Sequence, residues 1–126
     1  LLIMETPNPE NLTVATQNFY LDPTHERPIP PQLLSFIPEY YGFERIKIVR
    51  LQEAATLGGD AVLGISDVLY GVSPDYAVIA QKSATEDIWS KTGEAFERDF
   101  GIDLHTLAGM YDGQIVARTQ KLEFDA

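Results

Sequence analysis

The chain opens on Leu1-Leu2-Ile3-Met4, four apolar residues with no polar lead-in, and Pro7 and Pro9 end the run within a few residues. An unbroken apolar run of this length suits a strand buried on both faces, the environment of a parallel α/β sheet. Proline cannot donate to a strand ladder, so the strand must stop at Glu5-Thr6-Pro7-Asn8-Pro9. Chains seldom begin inside a buried strand, and the expectation is that this one is a piece of a larger α/β protein.

Two further strand patterns follow. Arg45-Ile46-Lys47-Ile48-Val49-Arg50-Leu51 alternates polar and apolar residues, and Asp75 to Lys82 reads as a third strand. Between the first two, residues 10 to 30 read as a long loop, and Pro30-Pro31 opens a helix. Leu33, Leu34, Phe36, Ile37 and Tyr40 give that helix an apolar face, with Pro38 set to kink or shorten it and Gly42 placed to end it. Gly58-Gly59 marks a flexible connection, and residues 65 to 70 suit a short helix. Ser83 and Glu86 can form a capping box on a helix from about 84 to 100, closed by Gly101. Asp103 can cap a last helix whose apolar positions are Leu104, Leu107, Ala108, Tyr111, Ile115 and Leu122. The first strand, helix and second strand form a βαβ unit with parallel strands, and the third strand follows closely enough to run antiparallel beside the second.

With 126 residues the chain suffices for one domain. It has no cysteine, which removes disulfides, thiolate metal sites and cysteine nucleophiles together and fits a reducing, cytoplasmic setting. A net charge of −10 disfavours binding to phosphate backbones or anionic membranes, and no apolar run is long enough to insert into a bilayer. The two histidines, His25 and His105, are too far apart to read as a metal site, and His105 reads as a surface or packing residue. No nucleophile motif of the Ser/His/Asp kind is present.

Leu2 to Pro9, the Phe19-Tyr20-Leu21-Asp22-Pro23-Thr24-His25 loop with Arg27-Pro28-Ile29-Pro30-Pro31, the helix ending Tyr41-Gly42-Phe43, and Asp75-Tyr76-Ala77-Val78-Ile79-Ala80-Gln81-Lys82 stand in one order. In that order they resemble the final third of a class I S-adenosylmethionine-dependent methyltransferase, of the bacterial type associated with sugars and surface polysaccharides, with a helical extension. The resemblance covers residues 1 to 82. It implies an α/β fold, a partial Rossmann-like sheet equivalent to strands five to seven with strand seven antiparallel between the others, followed by C-terminal helices over residues 83 to 126. It implies S-adenosylmethionine as the parent enzyme's cofactor, a sugar-type acceptor, and an N-terminal half as partner that supplies the glycine-rich turn and the acidic residue for the cofactor. This chain alone is therefore not expected to bind the cofactor.

Candidate site residues gather after the first strand, because ligands in open α/β sheets sit beyond the carboxyl ends of strands. His25 is a candidate catalytic base or acceptor contact, since imidazole titrates near neutrality, against the alternative of a loop histidine bonded to backbone. Glu5, Asn8, Tyr20, Asp22 and Arg27 are candidate substrate-binding residues. For Asn8 the alternative is a turn-shaping role before Pro9, and for Asp22 and Arg27 a turn start and a solvated charge. Asp75 and Lys82 read as solvated strand ends. A second reading makes the chain a non-catalytic interaction module that forms homo-oligomers or docks a partner through the stripe from Leu104 to Leu122.

Overall fold

The computed structural model describes residues 1–57 and 60–125. The elements in order are β1 (Leu2–Pro7), α1 (Leu12–Thr16), a 3-10 turn (Asn18–Leu21), α2 (Pro31–Tyr40), β2 (Arg45–Leu51), a 3-10 turn (Ala55–Leu57), α3 (Ile65–Tyr70), β3 (Asp75–Gln81), α4 (Glu86–Glu97) and α5 (Leu104–Asp125). The three strands form one antiparallel sheet in the order β1-β3-β2. β3 runs antiparallel to both neighbours, pairing Met4 with Val78 on one side and Ile48 with Val78 on the other. β1 and β2 therefore run the same way without pairing directly, and the insertion of the third strand between them is as the resemblance implies.

Directly paired residues share a face of the sheet. Met4, Ile46, Ile48, Tyr76 and Val78 lie on one face, and Leu34 of α2 packs on them with Ile29. The central strand is the buried one, with Tyr76, Val78 and Ala80 fully covered. Gly101 turns the chain at φ +77° so that Phe100 offers its carbonyl to the Arg50 amide at 3.1 Å, which ties the end of β2 to the segment before α5. A second apolar cluster joins Leu57, Leu63, Val68, Val72 and Leu107, so α5 is anchored beside α3 through its first two turns. Gln114 extends that anchor by accepting from the Leu63 amide at 2.8 Å and donating to the Ala61 carbonyl at 2.9 Å.

Several expectations are corrected. The opening strand is not buried on both faces: Leu1 is 81% exposed and Ile3 61%. β1 is an edge strand of the three-stranded sheet. Residues 10 to 30 are not all loop. Asn11 starts α1 by accepting from the Val14 amide at 3.1 Å, while its side-chain amide donates to the Tyr70 and Val72 carbonyls. On α2 only Pro31, Leu34 and Pro38 are buried, and Leu33, Phe36, Ile37 and Tyr40 face outward. Pro38 is accommodated inside the helix, and Gly42 ends it at φ +85°. The cap of α4 is Thr85 rather than Ser83, and the helix stops at Glu97. Along α5 the stripe packs only as far as Tyr111, and Leu122 is exposed because the helix has run past the body it lies on. The connection expected at Gly58-Gly59 lies outside the described residues.

Candidate functional site

The end of β1 is shaped by Asn8, which is fully buried. Its amide donates to the Ser73 carbonyl at 2.8 Å and to Glu10 at 3.2 Å, and its side-chain oxygen accepts from the Glu10 backbone at 3.1 Å. Every polar group of this side chain is thus committed to the turn, so Asn8 holds the strand end against the β3 entry rather than offering a contact to a ligand. Glu10, turned inward by this arrangement, meets Arg50 of β2 in a two-pronged ion pair at 2.7 and 3.2 Å. The Glu10 hydrogen bond and charge push the Arg50 pKa up. This pair links two segments 40 residues apart, and no spacing in the sequence announces it.

The loop that follows is organised around Phe19, which is buried. His25 stacks on its ring at a centroid distance of 4.5 Å, and Tyr20 meets the same ring edge-on at 5.3 Å. Nδ1 of His25 lies 2.7 Å from the Phe19 carbonyl oxygen. A carbonyl only accepts, so Nδ1 carries the hydrogen and donates it. In the neutral ring Nε2 is then the free lone pair, and it lies 3.5 Å from the Asp22 carboxylate. Asp22 accepts from the Thr24 hydroxyl at 2.6 Å and the Thr24 amide at 2.8 Å, and these bonds hold its carboxyl below the ordinary carboxylate range. Tyr20, Asp22 and His25 are therefore brought together. Arg27 is exposed beyond them, and Glu5 sits exposed in mid-strand, opposite Ala77.

Beneath this loop lies a cavity of about 220 Å³ lined by Pro7, Val14, Asn18, Phe19, Pro74 and Asp75. Asp75 is not a solvated strand end. Burial, with Glu5 as the second cause, raises its pKa above the usual carboxylate value. At the far side of the sheet end, Ser73 is buried and donates to Glu53 at 2.9 Å while accepting from the Ile102 amide at 2.9 Å. Glu10 and Glu53 carry no site signal in the sequence, and Asp75 reads there only as a solvated strand end. Only the Asn8-Pro9-Glu10 turn signal was available for the first of these.

No family model matches the chain, and no curated protein does. Among solved structures, a SAM-dependent methyltransferase from Archaeoglobus fulgidus is 35% identical, over 64% of this chain and 43% of that protein, with a TM-score of 0.49. This chain thus spans less than half the length of that protein.

The described residues do not fit the adenosine half of S-adenosylmethionine. Gly64 and Gly71, the described glycines at the ends of α3, spend their amides on Asp67, at 2.8 and 2.7 Å. Among the described residues no glycine-rich turn opens a helix directly after a strand. No group of three or more metal-binding side chains is found among the described residues, and no described helix is long and apolar enough to cross a membrane.

Proposed function

We propose that this chain forms the acceptor side of an S-adenosylmethionine-dependent methyltransferase that acts on a hydroxyl of a sugar-type acceptor in the cytoplasm. The observation that carries the reading is the placement of the Thr6-Pro7-Asn8 turn and the Phe19 to His25 loop together at one end of a β1-β3-β2 sheet. The reading agrees with the activity in the name of the Archaeoglobus protein but rests on these residues. The adenosine half is assigned to a segment other than the described residues, which in this reading is the N-terminal partner half.

His25 is the base in this reading. The Phe19 carbonyl fixes the Nδ1–H tautomer, so Nε2 is presented to take a proton from the acceptor hydroxyl. Asp22 stabilises the imidazolium that results, and Thr24 keeps Asp22 ionised for that purpose. Tyr20 and Arg27 flank the loop on its exposed side and meet the acceptor there. The test is transfer of a labelled methyl group from S-adenosylmethionine to hydroxyl compounds by a protein in which this chain is joined to the N-terminal half that supplies the cofactor turn. His25→Ala is expected to lower kcat by about 10²–10⁴-fold, the usual contribution of a positioned base. Transfer that proceeds at full rate in His25→Ala removes the base from the mechanism, and no transfer to any hydroxyl acceptor removes the reading.

A second reading is favoured by the far end of α5, where Val116, Leu122 and Phe124 are exposed, the last at 91%. Here the chain associates through that helix, as a homo-oligomer or with another protein. Light scattering that returns a strict monomer at high concentration counts against self-association.

A further inference from the structure

β2 ends the sheet on the side opposite β1, and its ladder is made with β3 alone. The Arg50 amide turns away from β3 to reach the Phe100 carbonyl at 3.1 Å. Successive residues of a strand turn their amides and carbonyls to opposite sides, so Ile46 and Ile48 point theirs the same outward way as Arg50. Among the described residues no other strand or loop bonds to them there. A groove of about 440 Å³ runs along this open edge. Ser35 and Glu39 of α2 wall it on one side, Phe96 and Asp99 on the other, and β2 from Ile46 to Arg50 is its floor. The two helices pack on opposite faces of the sheet, Leu34 of α2 against Ile46 and Ile48, and Trp89 of α4 against Arg45. A groove that touches both therefore crosses the edge of the strand, where one more strand can be added.

Charge decides which strand fits. Arg45, Lys47 and Arg50 are three of the nine lysines and arginines in a chain of net charge −10, so an acidic segment repelled elsewhere is tolerated here. Arg45 is stacked on Trp89, and Arg50 is bound to Glu10. Lys47 meets Asp99 at 3.5 Å, longer than a good charged hydrogen bond, and Asp99 is fully exposed. Lys47 itself is mostly covered, so a carboxylate that replaces Asp99 meets a charge that salt screens less. A second copy of β2 does not fit. Two-fold pairing centred on Lys47 sets that residue against its own copy, and pairing centred on Ile46 sets it against Arg45, and like charges directly opposite are destabilising. Pairing centred on Ile48 requires the Arg50 amide, which Phe100 already holds.

We propose that the outer edge of β2 receives an extended acidic peptide segment of another protein by strand addition, with its carboxylates facing Lys47 and its apolar side chains facing Ile46 and Ile48. The inference goes beyond the preceding reading and stands whether or not the chain takes part in methyl transfer.

The probe is a synthetic peptide alternating valine and glutamate, titrated into the full chain and followed by NMR hydrogen exchange. In the free chain the Ile46 and Ile48 amides are expected to exchange fast, and in the complex about tenfold or more slowly. A peptide alternating valine and lysine is expected to bind at least about fivefold more weakly. Lys47→Glu, shown folded by circular dichroism, is expected to reverse that preference. N-methylation of the valine-glutamate peptide along the edge that meets β2 removes its donors and is expected to abolish binding to the unmodified chain. Failure of the valine-glutamate peptide to bind, binding that leaves exchange at Ile46 and Ile48 unchanged, equal binding of the two peptides, or binding that survives N-methylation would each overturn the proposal. Slow exchange at both amides in the free chain would show the edge already filled and overturn it as well.

Discussion

Replacing Gly101 by alanine puts a methyl group where the structure has no room. The residue sits at φ +77°, in the left-handed region. A Cβ there would lie 2.3 Å from the Arg50 carbonyl oxygen and 2.5 Å from the Arg50 Cβ. The left-handed conformation alone costs an L-residue about 1–2 kcal/mol. Relieving the overlap requires the backbone to retreat by roughly 1 Å to reach ordinary van der Waals distance, where contact energies are again favourable. That retreat breaks the bond from the Arg50 amide to the Phe100 carbonyl, worth about 0.5–1.5 kcal/mol. The chain cannot slide away at the next residue either, because Ile102 donates to Ser73 and accepts from its amide at 3.2 Å. Gly101→Ala is therefore expected to destabilise by about 2–4 kcal/mol, a large part of what a small domain has. Urea unfolding followed by circular dichroism and by the fluorescence of the one tryptophan, Trp89, measures it. The matched control is Gly109→Ala in α5, where nothing lies within 4 Å of the added Cβ. That change is expected to be neutral or to stabilise by up to about 1 kcal/mol through helix propensity. If Gly101→Ala unfolds within about 0.5 kcal/mol of the parent, below the error of most such effects, the steric reasoning is refuted.

Tyr76 is buried with its hydroxyl donating to the Ile29 carbonyl at 2.5 Å, and burial, then Glu10, raises its pKa to about 12. Tyr76→Phe is expected to cost about 1–3 kcal/mol in urea unfolding by orphaning that carbonyl. Because the folded pKa lies above the unfolded one, the stability tied to this group is whole below pH 10 and lost as pH rises toward 12, which a pH series of unfolding curves would show or deny. Glu10→Gln leaves Arg50 half-buried without its counter-charge and is expected to cost about 1.5–3 kcal/mol, with Arg50→Met in the same background recovering part of the loss. The chain of residues 1–126 is expected to show no saturable micromolar binding of S-adenosylmethionine in titration calorimetry. One-to-one binding at that affinity would contradict the finding that the described glycines do not form the cofactor turn.

The local elements were largely legible in the sequence because they depend on short-range geometry. The alternation from Arg45 to Leu51 and the apolar centre of Asp75 to Gln81 report a period of two that any partner strand would preserve. Pro31 at the first turn of α2, and Gly42 and Gly101 at positive φ, act through their own backbones, so no distant residue is needed to read them. Even the order of the strands followed once the pattern was joined to the family resemblance. What only the tertiary structure decided is which of these apolar and polar groups meet. Leu1 and Ile3 look like core residues in sequence but stand on an uncovered edge, because burial belongs to the neighbours a strand acquires and not to the strand. Asn8 looked like a site residue and is a buried clamp on the Ser73 carbonyl, 65 positions away. Asp75 reads as solvated and lines a cavity, because the Phe19 loop lies over the start of β3. Glu10 with Arg50 and Glu53 with Ser73 are pairs made at long range, where sequence carries residue types but not distances, and the cavity that Glu53 lines exists only once the end of β2, α1 and α3 have come together.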